Sequence, residues 1–389
     1  MARSKTRRWM DAECAQLSAL ADEFFTREAV PRAAKWEAQR HVDREFWTLA
    51  GGVGLLSCSV PTEFGGSGGS VAHDLAVIDA QARVTDYAFG GAVHSGVVTH
   101  YLLDYGTDEQ KRRWLPSMVT GETVGAIALT EPDAGSDLKA LRTRAVRDGD
   151  DWVLDGSKTF ITNGSIADLV VVAAVTEPGA GSRGISLFLV DARVPGFTVT
   201  RVLDKIGQHG SDTSELSFVG VRLPASALLG EPGRGFAMMM EQLPQERLFA
   251  GVMAVGAMTQ AVALTVDYTS QRRAFGAPLS DLQNTRFEVA ECATLTEVAR
   301  TFVDDAIVRH LDDSLDLAAA AMVKLWTTDV QGQVVDRCLQ LFGGYGYMRE
   351  YPIGRLWVDA RAQRIYGGSN EIMKELITRS LLPTPARRG

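Results

Sequence analysis

Two short segments hold the residues whose chemistry matters most. In Leu243-Pro244-Gln245-Glu246-Arg247-Leu248 a carboxylate and a guanidinium follow a proline. In Ile365-Tyr366-Gly367-Gly368-Ser369-Asn370-Glu371-Ile372 a second carboxylate follows a pair of glycines. A carboxylate serves as a general base once burial raises its pKa toward the working pH. A backbone N–H, such as that of Gly367, stabilises developing negative charge on an oxygen. Each segment also has a plainer reading. Pro244 suits the first turn of a helix, where Glu246 would merely complement the positive end of the helix dipole. Glu371 is expected to begin the last helix, with Ser369 or Asn370 capping it.

Four further motifs carry polar groups at suggestive spacing. Leu129-Thr130-Glu131-Pro132-Asp133-Ala134-Gly135-Ser136-Asp137 has a Gly-Ser turn that brings N–H groups and a hydroxyl near an anionic or carbonyl oxygen. It is equally a strand-ending turn. In Gly156-Ser157-Lys158-Thr159-Phe160-Ile161-Thr162-Asn163-Gly164, Phe160 and Thr162 would share one face of a strand, although a strand Phe is most often core. Tyr268-Thr269-Ser270-Gln271-Arg272-Arg273-Ala274-Phe275-Gly276, followed by Leu282-Gln283, offers Arg272 as a bidentate phosphate ligand. The alternative is a solvated helix end, which suits Arg273. Gln340-Leu341-Phe342-Gly343-Gly344-Tyr345-Gly346-Tyr347 has a glycine pair open to close approach by a cofactor, or an ordinary helix C-cap.

The elements that must position these groups change period twice. Ala15 to Glu28, Arg44 to Ala50 and Val71 to Thr85 have helical spacing, and Gly65-Gly66-Ser67-Gly68-Gly69 reads as a flexible connection without the preceding strand of a dinucleotide fingerprint. From about Val124, short β-branched runs follow at Trp152–Leu154, Leu169–Val175, Ile185–Val190 and Phe197–Val202, the pattern of a small antiparallel barrel or sandwich. After about Gly235 the helical period returns, with stripes through Leu248, Val252, Val255, Thr259, Val262 and Val266 and through Val323, Trp326, Val330, Val334, Cys338 and Leu341. Those stripes indicate a helix bundle. Without βαβ alternation, a doubly wound nucleotide fold is disfavoured.

Composition narrows the class. A net charge of −8 over 389 residues argues against nucleic-acid binding. Cys14, Cys58, Cys292 and Cys338 form no C-x-x-C pair and the six histidines form no zincin spacing, so disulfide or metal use is not expected and a cytoplasmic location fits. No secretory signal is visible, and no run approaching 18 apolar residues suggests a membrane span.

Taken together, the motifs resemble the acyl-CoA dehydrogenase family over nearly the whole chain. The resemblance implies an α+β multi-domain protein: an N-terminal α-helical domain (1–123), a central antiparallel β-barrel (124–229) and a C-terminal four-helix bundle (230–389). It implies FAD as cofactor, held by Ile127, Leu129, Thr130, Ser136, Phe160, Thr162, Arg272, Phe275, Gln283, Gln340, Gly343, Gly344, Ser369 and Glu371. Arg272 would reach the FAD of a neighbouring subunit, which implies a homotetramer or at least a dimer. Many members carry the base directly after the tyrosine matching Tyr366, where this chain has Gly367. The long-chain and isovaleryl branches keep it where this chain has Glu246, so Glu246 is the expected base, with Ser136, Arg247, Gly367 and Gly368 at the substrate. The implied reaction is α,β-dehydrogenation of a medium- to long-chain fatty acyl-CoA, with electrons passing to an electron-transfer flavoprotein. The same fold also admits an oxidase, a branched short-chain or carrier-protein-bound thioester, or a non-catalytic scaffold.

Overall fold

The computed structural model describes residues 7–84 and 88–382. Helices α1 (Ala12–Phe24), α2 (Ala33–Gln39), α3 (Arg44–Gly52), α4 (Val71–Val84), α5 (Gly91–Val93), α6 (Thr99–Tyr105) and α7 (Asp108–Thr120) come first. The first helix starts earlier than its apolar spacing suggests because Asp11 caps it, its side chain accepting from the Cys14 N–H at 2.8 Å. The third expected run ends at Thr85, which lies outside the described residues. The glycine loop at 65–69 is an ordered turn rather than a flexible connection. Gly68 N donates to Val60 O and Gly69 N to Cys58 O, and a Cβ on Gly66 would collide with the Val60 carbonyl.

Strands β1 (Gly125–Ala128), β2 (Arg144–Asp148), β3 (Asp151–Thr162), β4 (Leu169–Val175), β5 (Ile185–Asp191), β6 (Phe197–Val202), β7 (Thr213–Leu223) and β8 (Leu228–Leu229) form one sheet in the order β6-β7-β3-β2-β4-β5-β8, with β1 paired to β4. The expected antiparallel barrel needs correction: the sheet does not close, and β1 and β2 both run parallel to β4. β4 and β5 are buried on both faces, which is why they read as unbroken apolar runs. Leu169, Val171, Ala173 and Leu187 pack with Tyr101, Leu102 and Trp114 of the helical domain, while Val170, Val172, Ala174 and Phe188 pack with Leu154, Leu216 and Phe218 inside the sheet.

The remaining helices are α8 (Gly235–Gln271), α9 (Gln283–Leu311), α10 (Leu317–Leu341), α11 (Pro352–Gln363) and α12 (Asn370–Leu381). Three are long. The two short ones both pack against α10 and together complete the bundle. By length and composition α8 could cross a membrane, contrary to the expectation from sequence, but most of its apolar stretch is buried inside the protein. Its apolar stripe holds at Leu248, Val252 and Val255 and then rotates, so that Val266 is exposed while Thr265 and Thr269 face the core. Along its length, Met238 and Met239 belong to the core shared with the sheet, whereas Leu248 onward belongs to the bundle core. Glu246 lies between the two.

Candidate active site

Pro244 does not start a helix. It is internal to α8, where its missing N–H removes the hydrogen bond that would close on Met240 O. Glu246 therefore sits three turns into the helix, and the reading of it as a dipole-complementing first-turn acid fails. The half-buried Glu246 accepts a hydrogen bond from the Tyr101 hydroxyl of α6, O to Oε1 3.3 Å. Burial pushes the Glu246 carboxyl up to about 7, against the pull of the Tyr101 hydrogen bond and the Arg247 charge. Arg247 is itself buried, which brings its guanidinium down to about 10, and its Nε and Nη1 have no protein partner. An unpartnered buried guanidinium is costly unless a ligand supplies acceptors.

Behind Arg247 stands Lys324 of α10, fully buried, its ammonium pushed down to about 8 by burial, with the Arg247 charge acting in the same direction. Its Nζ donates to Gly368 O at 2.7 Å and to Asn370 Oδ1 at 2.8 Å. Lys324 thus ties α10 to the glycine segment that precedes α12. Gly367 and Gly368 have φ of 65° and 87°, in the left-handed region that favours glycine. Space around Gly367 is open, whereas a Cβ on Gly368 would meet Met373 Cε at 2.7 Å. Ser369 caps α12 by accepting from Ile372 N at 3.4 Å, and Glu371 occupies its first turn with its carboxyl lowered by hydrogen bonding to its own backbone N–H. Asn370 is not the cap; its amide donates to Thr328 and Asp329.

The first two motifs meet at the sheet. Thr159 N donates to Thr130 O at 3.0 Å. Buried Lys158 donates to Leu129 O at 3.0 Å and pairs with Glu131 Oε1 at 2.8 Å, and Glu131 in turn accepts from Arg142 N and Thr143 N. Ile127 and Leu129 are half-buried against the adjoining core, and Ser136 is exposed on the loop. β3 breaks register between Lys158 and Ile161, and at that irregularity Phe160 adopts φ 61° with 66% of its surface exposed. A bulky residue in the left-handed region is a real outlier. Thr162, half-buried, follows two residues later. An exposed ring two residues from the Thr162 hydroxyl suits a flat, polar-edged ring system such as a flavin.

The last two motifs form a second cluster at the end of α8. The Arg272 guanidinium lies over the Tyr345 ring at 5.3 Å, and Tyr268 stacks on Phe342 at 4.2 Å while donating to Phe342 O. Arg272, Gln283, Gln340, Gly343 and Gly344 are exposed, and Phe275 is 96% exposed. Tyr101 and Lys324 went unnoticed in the sequence: Tyr101 lies in no motif, while the signal for Lys324 was a charge beside Val323 in a buried stripe. Lys158 and Glu131 stood inside recognised motifs without an assigned part.

Asp11, Cys14 and His73 place potential metal-ligating atoms within 4.8 Å of one another. Asp11 Oδ1 and His73 Nδ1 already accept backbone N–H bonds, and burial pushes the Cys14 thiol to about 11, so this is a poor metal site.

A helical domain, a sheet and a bundle that meet around the half-buried Glu246 and the buried Arg247 and Lys324 match the architecture of a flavin-dependent acyl-thioester enzyme. The chain belongs to the acyl-CoA dehydrogenase family. Models for its N-terminal, middle and C-terminal domains match residues 11–122, 126–221 and 233–382. The chain is 47% identical over 361 residues to long-chain specific acyl-CoA dehydrogenase, mitochondrial, of Sus scrofa, covering 92% of this chain and 84% of that one. The structure of acyl-CoA dehydrogenase from Geobacillus kaustophilus superposes with TM-score 0.94 at 42% identity, covering 97% and 100% of the two chains. A chain from the structure of the electron transferring flavoprotein of Acidaminococcus fermentans, described for flavin-based electron bifurcation, gives TM-score 0.93 at 34% identity, covering 96% and 99%. The family is FAD-dependent and belongs to fatty acid β-oxidation, and this chain is an FAD enzyme acting on acyl-CoA.

Proposed function

We propose that this chain dehydrogenates medium- to long-chain fatty acyl-CoA to trans-2-enoyl-CoA, with Glu246 as the base. The observation that supports the reading is the half-buried Glu246 carboxylate, three turns into α8, bonded by the Tyr101 hydroxyl and pushed up to about 7 by desolvation. A thioester α-C–H is too weakly acidic for a carboxylate in water, so the site must both desolvate the base and polarise the carbonyl. Gly367, with no side chain and open space around it, leaves its N–H available to the thioester carbonyl as charge develops there. Arg247, Ser136 and Gly368 line the substrate, and Arg247 gains the acceptors it lacks in the protein alone. When bound, FAD supplies the two-electron acceptor for the β-hydrogen. Ile127, Leu129, Thr130, Ser136, Phe160, Thr162, Ser369 and Glu371 hold it in one chain. The exposed set of Arg272, Phe275, Gln283, Gln340, Gly343 and Gly344 serves the FAD of a second copy, in a homotetramer. Electrons leave to an electron-transfer flavoprotein, a partner named for one structural relative.

A panel of acyl-CoA thioesters from short to long, with branched and carrier-bound acyl groups, mixed anaerobically with the enzyme, tests the assignment through flavin bleaching. Fastest bleaching with unbranched medium to long acyl-CoA is expected. Preference for branched or carrier-bound groups, or rapid peroxide formation in air, would replace the proposed substrate or acceptor.

A further inference from the structure

We propose that Tyr101 is a positioning residue for the base: its hydroxyl donates to Glu246 Oε1, keeping the carboxylate charged and leaving Oε2 for the substrate α-proton. The inference rests on the assignment of Glu246 as base. Tyr101 is fully buried at the foot of α6, directly after the π-helical turn His94–Val98, and packs with Leu102, Trp114 and Met238. A phenol in such a place needs a partner. Among the described residues its hydroxyl donates to Glu246 Oε1, at 3.3 Å.

With Glu246 ionised, the direction of that bond is fixed by chemistry. Burial, and then the Glu246 charge, hold the Tyr101 phenol well above its ordinary value, so it stays protonated and acts as a donor. The charged groups near Glu246 do not duplicate it. Arg247 precedes the next turn of the same helix and acts through its charge; among the described ion pairs none joins it to Glu246. Lys324 of α10 is spent on Gly368 and Asn370. Tyr105, one turn along α6, is turned to Glu241 and Met238 O, and His310 of α9 is engaged by Gln245. Tyr101 therefore supplies the directional bond to the carboxylate. A hydrogen bond to the charged form lowers a carboxyl pKa, so removing it raises the pKa and protonates the base at a pH where the enzyme would otherwise work.

The test is Tyr101→Phe, which keeps the ring and removes one oxygen. Anaerobic flavin bleaching at saturating acyl-CoA is followed across pH, beside the parent enzyme and Glu246→Gln. The acid limb is expected to move up by about one pH unit, giving a roughly tenfold loss on the acid side and near-convergence at high pH. Affinity for the enoyl-CoA product should change less than about threefold, since the ring packing is kept. Replacing Tyr101 by a fluorotyrosine, a stronger donor, should move the limb the other way. A uniform rate loss with no shift of the limb would reduce Tyr101 to packing and overturn the proposal, as would an unchanged profile. If Glu246→Gln keeps the parent acid limb, the base assignment itself fails, whatever Tyr101 does.

Discussion

At the residue scale, the site trades stability for reactivity. Glu246 has a folded-state pKa of about 7 against an ordinary value of 4.5. Raised above its unfolded value, the group contributes stability that is present below about 4.5 and is lost as pH rises through about 7. Glu246→Gln cannot ionise, so thermal melting should find the variant more stable than the parent at pH 8, by roughly 2 to 3 kcal/mol, and nearly equal to it at pH 4.5. Equal melting differences at both values would mean that the carboxyl is not desolvated. Gly367 carries the complementary expectation. Adding Gly367→Glu to Glu246→Gly should restore part of the lost bleaching, because no atom lies within 4 Å of a Cβ there; the left-handed backbone makes the cost about 1 to 2 kcal/mol. The absence of any rescue would weaken the view that both positions face one α-carbon. The sequence could point to Glu246 and the glycine segment because their neighbours form a motif. It could not point to Tyr101, which approaches across 145 residues of chain, a contact that no local pattern encodes.

At the element scale, what holds the glycine segment is α10. Lys324→Met would remove the ammonium from Gly368 O and leave Asn370 Oδ1 only the Thr328 hydroxyl, a loss of about 1 to 3 kcal/mol for an unsatisfied group. Hydrogen exchange at the amides of residues 366–369 is expected to quicken while the core of α9 keeps its protection; unchanged exchange would show that the segment holds itself. Legibility at this scale followed composition rather than burial, since the largely exposed β6 was recognised and the buried β1 was not. β4, β5 and β6 match their expected runs because valine, isoleucine, threonine, leucine and phenylalanine make up most of each. β1, Gly125–Ala128, escaped because two alanines, a glycine and one isoleucine carry little strand signal; its place is set by pairing with β4. β7 escaped although Leu216, Phe218 and Val221 face the core, since its glycine and charged residues broke the run. α8 was cut short for another reason: a proline usually marks a helix start, yet packing on both sides of Pro244 carries the helix through it.

At the scale of the whole molecule, Arg272 is proposed to serve the cofactor of a second chain. The Arg272 cluster is exposed and rich in aromatic surface, which suits service to another chain's FAD. Arg272→Ala subunits and Glu246→Gln subunits should each be nearly inactive alone. Co-expressed, they are expected to regain activity well above the sum of the two, because an intact Glu246 then meets an Arg272 from its neighbour. Failure of mixed assemblies to recover would place Arg272 at its own chain's cofactor or outside the site. The order of helical, β and helical domains was legible from the change of period. Closure of the sheet was not, because edge pairing depends on which strands meet rather than on their composition. The role proposed for Glu246 is removal of the proton from the substrate α-carbon. Its most direct test is anaerobic flavin bleaching by a long-chain acyl-CoA in the Glu246→Gln variant. The expected result is retained substrate binding with bleaching slowed about 100-fold or more, the scale of a lost general base; bleaching at a near-parent rate would contradict it.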